Sequence, residues 1–363
     1  MDKDLYCVIM AGGIGSRFWP MSRTRTPKQF MDILGTGRTL IQHTFKRFQA
    51  ICPTQNILIV SNVEYRDLIL DQLPEIHPSQ LLLEPLRKNT APCIAYANQR
   101  IATINPDATI IVAPSDHLIL DEIEFLRIIR EGVGFVRSRD VLLTLGIRPN
   151  RPETGYGYIQ VNDLEDFDGF PNLHKVKTFT EKPNLELAQI FLDSGDFFWN
   201  SGVFVWSLTS IQRAYERHLP DMQGLFADGR QLYGTDVEEA FIKQVYGACD
   251  KISIDYGLME KADNVYVLCA DFGWSDLGTW GSLYSHLFRD DYGNAIGQSL
   301  VLAFDSSGNI IHAPEGKLTV VQGLDDYIII NTDDVLLICK KEDEQQIRLM
   351  VDEVKMKFGG NYI

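Results

Sequence analysis

The stretch Met10 to Phe30, MAGGIGSRFWPMSRTRTPKQF, carries the densest chemistry in the chain. Gly12, Gly13 and Gly15 let the backbone approach a phosphate chain and turn its N–H groups toward it. Arg17, Arg23, Arg25 and Lys28 follow at close spacing. The whole chain has a formal charge of −15, so this local excess of cations marks an anion site. Two common phosphate loops are ruled out. A P-loop needs Gly-x-x-x-x-Gly-Lys-Ser/Thr, which is absent. A dinucleotide fingerprint begun at Gly13 needs glycine at position 18, where Phe18 stands. What remains is a loop suited to phosphoryl or nucleotidyl transfer, which needs positioning and charge neutralisation more than covalent chemistry.

Two loop aspartates complement the cations. Asp116 lies in Pro114-Ser-Asp-His117 and Asp276 in Gly273-Trp-Ser-Asp-Leu-Gly-Thr-Trp280. Mg²⁺ takes one or two carboxylates and completes its shell with substrate phosphates. Taken singly, each Asp also reads as a turn or N-cap residue. His117 has no second His at ligand spacing and reads as structural. Between the aspartates lie Thr154-Gly-Tyr-Gly-Tyr-Ile159, Thr180-Glu-Lys-Pro183 and Phe198-Trp-Asn-Ser-Gly202. A hexose phosphate wants carboxylate and amide partners for its hydroxyls and a cation for its phosphate. Glu181 and Asn200 meet the first need and Lys182 the second. Leu83-Glu-Pro-Leu-Arg-Lys-Asn-Thr-Ala-Pro92 offers Glu84, a carboxylate able to accept from the N1–H and N2–H₂ of guanine, or else from local backbone N–H groups.

The elements that must hold these residues alternate along the first half of the chain. Leu5–Ala11, Ile57–Val60, Leu81–Leu83, Thr109–Ala113 and Val141–Leu145 are short apolar runs. Leu40–Ile51, Ala91–Ile104 and Asp121–Ser138 have helical periodicity. The pattern predicts an α/β fold with a Rossmann-like, mostly parallel sheet flanked by helices, with ligands at the carboxyl ends of its strands. Further strands are expected near Gly157–Val161, Val176–Thr180 and Gly202–Trp206. Beyond about Arg289, Leu300–Ala303, Leu318–Val321, Tyr327–Ile330 and Val335–Cys339 predict a small β-rich unit, closed by a helix over Glu342–Lys357, with no strict repeat. The expected division is a catalytic domain over 1–288 and a β-rich domain over 289–363. The acidic balance disfavours nucleic-acid binding. Six cysteines without a Cys-x-x-Cys pair read as free thiols. With no apolar leader and no long apolar stretch, a soluble cytoplasmic protein without membrane attachment is expected.

The N-terminal loop resembles the signature of the sugar-phosphate nucleotidyltransferases, Gly-Gly-x-Gly-x-Arg-Leu-x-Pro-Leu-(Ser/Thr) followed by Pro-Lys. Phe18 and Met21 replace two leucines. Trp19-Pro20, Ser22-Arg23 and Pro27-Lys28-Gln29-Phe30 are similar to the GDP-mannose pyrophosphorylase branch, and the other segments above match in order. The resemblance implies transfer of GMP from GTP to mannose 1-phosphate, releasing pyrophosphate and giving GDP-mannose, with Mg²⁺ as cofactor and a homodimer as the assembly. It implies Arg17 and Lys28 as catalytic cations and Asp116 and Asp276 as metal ligands. Ala11, Gly12, Gly13, Gly15, Glu84, Asn89, Thr90 and Ser115 would hold the nucleotide. Gly157, Glu181, Lys182, Asn200 and Asp255 would hold the sugar phosphate. Asp255, in Ser253-Ile-Asp-Tyr256, reads equally as a helix cap. Lys88 stands where the family has arginine, which leaves that cation's role open. Longer members carry a sugar-phosphate isomerase domain after this point, so only the transferase activity is expected here. Competing expectations are the same reaction with another sugar or nucleotide, and a catalytically silent regulatory subunit. Retention of Arg17, Lys28, Asp116, Lys182 and Asp276 speaks against the latter.

Overall fold

β1 (Leu5–Met10) reads LYCVIM and is buried at every position but the last. A strand with no polar face needs cover on both sides. In the computed structural model, which describes residues 2–161, 169–170, 172–297 and 299–363, it lies inside a nine-stranded sheet. The first neighbours are β2 (Ile57–Asn62), β3 (Leu81–Glu84) and β4 (Thr109–Pro114). The two-residue strands β5 (Leu118–Ile119) and, much later, β11 (Trp274–Ser275) mark points where the chain passes from one compact unit to the other. Between them come β6 (Leu142–Ile147), β7 (Gly157–Val161), β8 (Leu173–Glu181), β9 (Phe197–Ser207) and β10 (Val265–Ala270).

The sheet order is β3-β2-β1-β4-β9-β6-β10-β8-β7, and β7 pairs back onto β9. Strands β9, β6, β10, β8 and β7 therefore close on themselves, and the simple Rossmann-like, mostly parallel description is corrected. Among the described residues β1–β2, β1–β4, β2–β3 and β6–β10 are parallel. The pairings β4–β9, β6–β9, β8–β10, β7–β8 and β7–β9 are antiparallel. Among the described residues no helix lies between β6 and β8, and β7 and β8, joined without a crossover helix there, pair antiparallel. The helices Thr90–Ala102 and Glu122–Val136 appear where periodicity predicts them. Gly132 lets the second approach the sheet, because a Cβ there would stand 2.7 Å from Leu143 Cδ2. This unit comprises Met1–Gly12, Thr44–Ser115 and Ile119–Trp274, and it contains the large core around Val8, Ile94, Ile110, Trp206 and Tyr246.

The second unit comprises Gly13–His43, Asp116–Leu118 and Ser275–Ile363. Its strands are β12 (Leu300–Phe304), β13 (Ile310–His312), β14 (Leu318–Gln322), β15 (Tyr327–Asn331) and β16 (Leu336–Lys340). β12 pairs with β14 and β13 with β15, in parallel, so β12 to β15 alternate between two sheets, and β16 then pairs antiparallel with β15. Leu300↔Leu318, Ile310↔Ile328 and the bridge Ser307↔Asp325 share one offset of 18 residues. The chain thus winds in coils of constant length, a repeat that apolar patterning alone does not disclose because its two turns share few identities. Buried Asn309 ties the coils. Its amide donates to Asn294 Oδ1 and Leu324 O, each at 2.9 Å, and its carbonyl accepts from Tyr327 N–H. The closing helix begins later than predicted, as a 3₁₀ turn Lys341–Gln346 leads into Ile347–Phe358. Phe18, Trp19, Leu277, Trp280, Ile328, Ile330 and Ile347 share this unit's core, so the glycine-rich loop is packed on the C-terminal coils. Arg23 reinforces this with a fork of hydrogen bonds to both carboxylate oxygens of Asp334, at 2.7 and 2.5 Å. Trp19 Nε1 donates to Tyr362 O at 2.6 Å.

Candidate functional site

Gly15 closes the loop in the left-handed region, φ 66° and ψ 38°, and starts the 3₁₀ turn Ser16–Phe18. A Cβ there would meet Lys28 Cβ at 2.6 Å, so glycine is required both by conformation and by space. Lys28 itself is only 3% exposed. Its Nζ lies 2.9 Å from Asp116 Oδ2 and donates to the Asp276 backbone oxygen at 2.6 Å, and it sits over the Phe18 ring. One buried ammonium thus brings together residues 28, 116 and 276. Asp276 Oδ1 accepts from Gly278 N–H at 2.7 Å, an Asx turn in which a Cβ on Gly278 would strike the carboxylate at 2.4 Å. Between them Leu277 holds φ 44°, strained for a branched residue and secured by complete burial.

These groups line one cavity of about 360 Å³ with Gly15 and Arg17. Burial would raise the Asp116 carboxyl, but the Lys28 ammonium and His117 outweigh it and hold Asp116 below the ordinary carboxylate range. Among the described residues no three His, Cys, Asp or Glu side chains cluster as metal ligands. The donor set is the two carboxylates, which suits a hard dication that takes the rest of its shell from phosphate oxygens. Of the four loop cations, Arg23 is committed to Asp334, while Arg17 and Lys28 face the cavity. Arg348, which sequence reasoning missed, faces it too. As a lone arginine on an exposed C-terminal helix it had no sequence signal.

The other predicted residues, Gly13 apart, lie in the first unit. Ala11 is fully buried, with its N–H bonded to Val60 O and its carbonyl accepting from Ser61 Oγ. Gly12 abuts Glu84, whose Oε2 would stand 3.3 Å from a Cβ there, and the Gly13 oxygen accepts from Gln29 Nε2 at 2.9 Å. Glu84 is 5% exposed, and its Oε1 accepts from Tyr246 Oη at 2.9 Å. Burial pushes its carboxyl up to about 7, with Tyr246 and Arg87 opposing. One carboxylate oxygen is therefore already engaged, by a tyrosine the sequence did not flag. Asn89, at φ 73°, caps the next helix, its Oδ1 accepting from Thr90 N–H at 2.9 Å. Thr90 Oγ1 accepts from Ile254 N–H, and Ala91 N–H bonds Ile252 O. The Thr90 and Ala91 N–H groups are thus already bonded within the protein. Lys88 donates to Cys249 O at 3.0 Å. Ser115 is buried, and its N–H continues the β1 pairing to Met10 O.

Gly157, Glu181, Asn200 and Asp255 converge. Gly157 pairs with Glu181 across β7 and β8, and a Cβ on it would lie 2.5 Å from Glu181 Oε2 and 3.4 Å from Asn200 Cβ. Asn200 donates to Asp255 Oδ1 at 3.0 Å and accepts from Thr144 Oγ1 at 2.9 Å. Thr144 thereby fixes which way the amide faces, a role no sequence pattern marked. Asp255 is not the N-cap of the turn it opens, which is Ile254. Burial, then repulsion from Glu181, pushes the Asp255 carboxyl up to about 7. Lys182, at φ 50°, pairs with Glu181 and keeps most of its side chain exposed. The six cysteines are free, and all but the half-buried Cys269 are buried. Among the described residues no helix is long and apolar enough to cross a membrane.

The nucleotidyl transferase family matches residues 6–290, and the mannoseP isomerase/GMP-like β-helix domain matches 299–354. Mannose-1-phosphate guanylyltransferase 2 of Escherichia coli O157:H7 is 33% identical over all of this chain and 76% of its own length. Mannose-1-phosphate guanylyltransferase of Sinorhizobium fredii is 35% identical over 95% of this chain and 68% of its own. A Thermus thermophilus crystal structure, titled mannose-1-phosphate geranyltransferase, superposes with TM-score 0.86 at 29% identity, covering 97% of this chain and 99% of that one. The fold is accordingly the mixed α/β nucleotidyltransferase fold with a β-rich C-terminal region. The chain belongs to the nucleotidyl transferase family, in its mannose-1-phosphate guanylyltransferase branch.

Proposed function

We propose that this chain transfers GMP from GTP to mannose 1-phosphate, giving GDP-mannose and pyrophosphate. The observation that carries the reading is Lys28, a buried ammonium joined to Asp116 and to the Asp276 carbonyl in a cavity that Arg17 also faces. An oxygen of the sugar phosphate attacks the α-phosphorus in line. That P–O bond forms as the bond to the β-phosphate bridge breaks, and pyrophosphate leaves with the electron pair. The sugar phosphate is largely a dianion at neutral pH, with a second pKa of about 6, so the attack needs no general base. Arg17 holds the triphosphate, and Lys28 neutralises charge that builds on the α-phosphate in the transition state. The Gly12–Gly15 backbone approaches the phosphate chain, with Ala11, Glu84, Asn89, Thr90 and Ser115 shaping the nucleotide side. Gly157, Glu181, Asn200 and Asp255 hold the hexose, and Lys182 swings from Glu181 to its phosphate. Asp116 and Asp276 would hold Mg²⁺, which when bound supplies neutralising charge to phosphate oxygens.

The division of labour we propose is catalysis by residues 1–288, with the β-rich part over 289–363, a split that the extents of the two family matches support. A cytoplasmic homodimer is the proposed working form, supported by the exposed Leu300, Leu302, Leu318 and Val320 on the paired strands β12 and β14. The deciding experiment is pyrophosphate release with GTP and mannose 1-phosphate, set against a panel of nucleoside triphosphates and hexose 1-phosphates. A preference for another pair would replace this substrate assignment, and no turnover with any pair would remove the enzymatic reading.

A further inference from the structure

We propose that Arg348, on the C-terminal helix, binds the β,γ-phosphate end of the triphosphate and the pyrophosphate it becomes. The inference rests on the transferase reading above and extends its site to a residue far from the catalytic loop. Three observations carry it.

The first is placement. Arg348 lines the same cavity as Arg17, Lys28, Asp116 and Asp276. Its neighbour Ile347 is fully buried in the core that holds Phe18, Leu277 and Trp280. The start of the helix is thereby pinned to the residues that flank Arg17 and Asp276, and Arg348 is held at the rim.

The second is availability. Glu344, four residues earlier, is the natural partner for an arginine at this spacing. Its Oε2 instead accepts from Gly281 N–H at 2.8 Å. Among the described residues the Arg348 guanidinium has no hydrogen-bond or ion-pair partner, and neither has that of Arg17.

The third is charge. His117 apart, Arg17 and Lys28 are matched in number by Asp116 and Asp276. Arg348 is the added cation that makes the cavity side chains net positive. The terminal phosphates carry most of the ligand's negative charge, and a guanidinium meets phosphate oxygens through two parallel hydrogen bonds. Lys28 is tied down at the acidic end, so the two uncommitted arginines are the groups left for the terminal phosphates.

The test is calorimetric titration of the full chain, in magnesium, with inorganic pyrophosphate and separately with GMP. Arg348→Ala should weaken pyrophosphate binding about 10- to 100-fold while GMP stays within about twofold. Arg348→Lys, which keeps charge but not the fork, should recover part of the loss. Leu349→Ala, at the exposed next position, should bind as wild type does, and all three variants should keep the wild-type Tm. In turnover, Arg348→Ala should raise KM for GTP and leave KM for mannose 1-phosphate unchanged. Equal pyrophosphate affinity in wild type and Arg348→Ala overturns the proposal. So does a parallel loss of GMP and pyrophosphate binding, or failure of the wild type to bind pyrophosphate at all. Arg348-dependent pyrophosphate binding in a protein that does not turn over GTP with mannose 1-phosphate would remove the substrate assignment and leave the Arg348 assignment standing.

Discussion

Replacing Glu84 with glutamine should make the protein more stable at alkaline pH. Glu84 is buried at the end of β3, and its carboxyl is pushed from about 4.5 up to about 7 in the folded chain. In the unfolded chain it ionises near the ordinary value. Between those two values the folded state holds a proton that the unfolded state has lost. The stability this proton contributes is complete below about 4.5, falls as pH rises, and is gone above about 7. A separation of roughly two and a half units corresponds to about 3 kcal/mol. Glutamine keeps the shape, offers an oxygen to the Tyr246 hydroxyl and has no proton to lose. Urea denaturation at pH 5, 7 and 8.5 should therefore show the wild type falling behind Glu84→Gln by up to about 3 kcal/mol across the range. If both proteins follow parallel pH profiles, Glu84 does not titrate in this window, and the reasoning from burial fails. The same variant tests base reading. With Oε1 already bonded to Tyr246, at most one carboxylate oxygen is left for guanine. The loss in kcat/KM for GTP should then be that of one mispaired hydrogen bond, roughly 10- to 100-fold, and greater than the loss for inosine triphosphate only if that oxygen meets the 2-amino group. Equal losses with both triphosphates would place that oxygen on N1–H, which both bases carry, and no loss with either would make Glu84 structural.

Lys28→Ala should lower kcat by about 10²- to 10³-fold, with KM for mannose 1-phosphate changed little, as expected for a cation acting on the transition state; a rise in KM alone would exchange its role with that of Lys182. Asp276→Asn should abolish most magnesium-dependent turnover while circular dichroism stays native, and near-normal activity would end the proposal that it holds the metal. Arg23→Ala, which removes the fork to Asp334 but no cavity group, should cost some thermal stability and leave the KM for GTP unchanged; a large rise in that KM would place Arg23 in the phosphate site. Asp255, with its carboxyl raised to about 7, should give KM for mannose 1-phosphate a pH dependence near neutrality, improving as the carboxylate ionises. Asp255→Asn should remove that dependence while leaving the titration of the substrate itself, and an unchanged profile would take Asp255 out of sugar binding.

Local patterning was enough for the strands of the first half. β1, β2, β3 and β4 fall on short apolar runs because a strand covered on both faces has no polar position to obscure it. The glycine-rich loop, with Gly15 at positive φ, the catalytic candidates Arg17 and Lys28 and the metal-ligand candidates Asp116 and Asp276 stood out in the sequence as well, and one cavity brings them together. Close backbone approach and charge neutralisation restrict residue type at each position, and such restrictions survive as motifs. The direction of β7, β8 and β9 was not legible, because residue pattern reports which face is buried and not which neighbour a strand meets. That neighbour is chosen by the route of the connecting chain. The same limit hid Tyr246 beneath Glu84, Thr144 behind Asn200 and Arg348 at the rim of the cavity. Each is an ordinary residue on an ordinary element, and its role comes from a distance in space between segments that are up to hundreds of positions apart. The coils from β12 to β15 show the limit most clearly. Their constant offset is a property of hydrogen-bonded register, which any strand of the right length can satisfy, so the sequence was free to vary while the geometry was not.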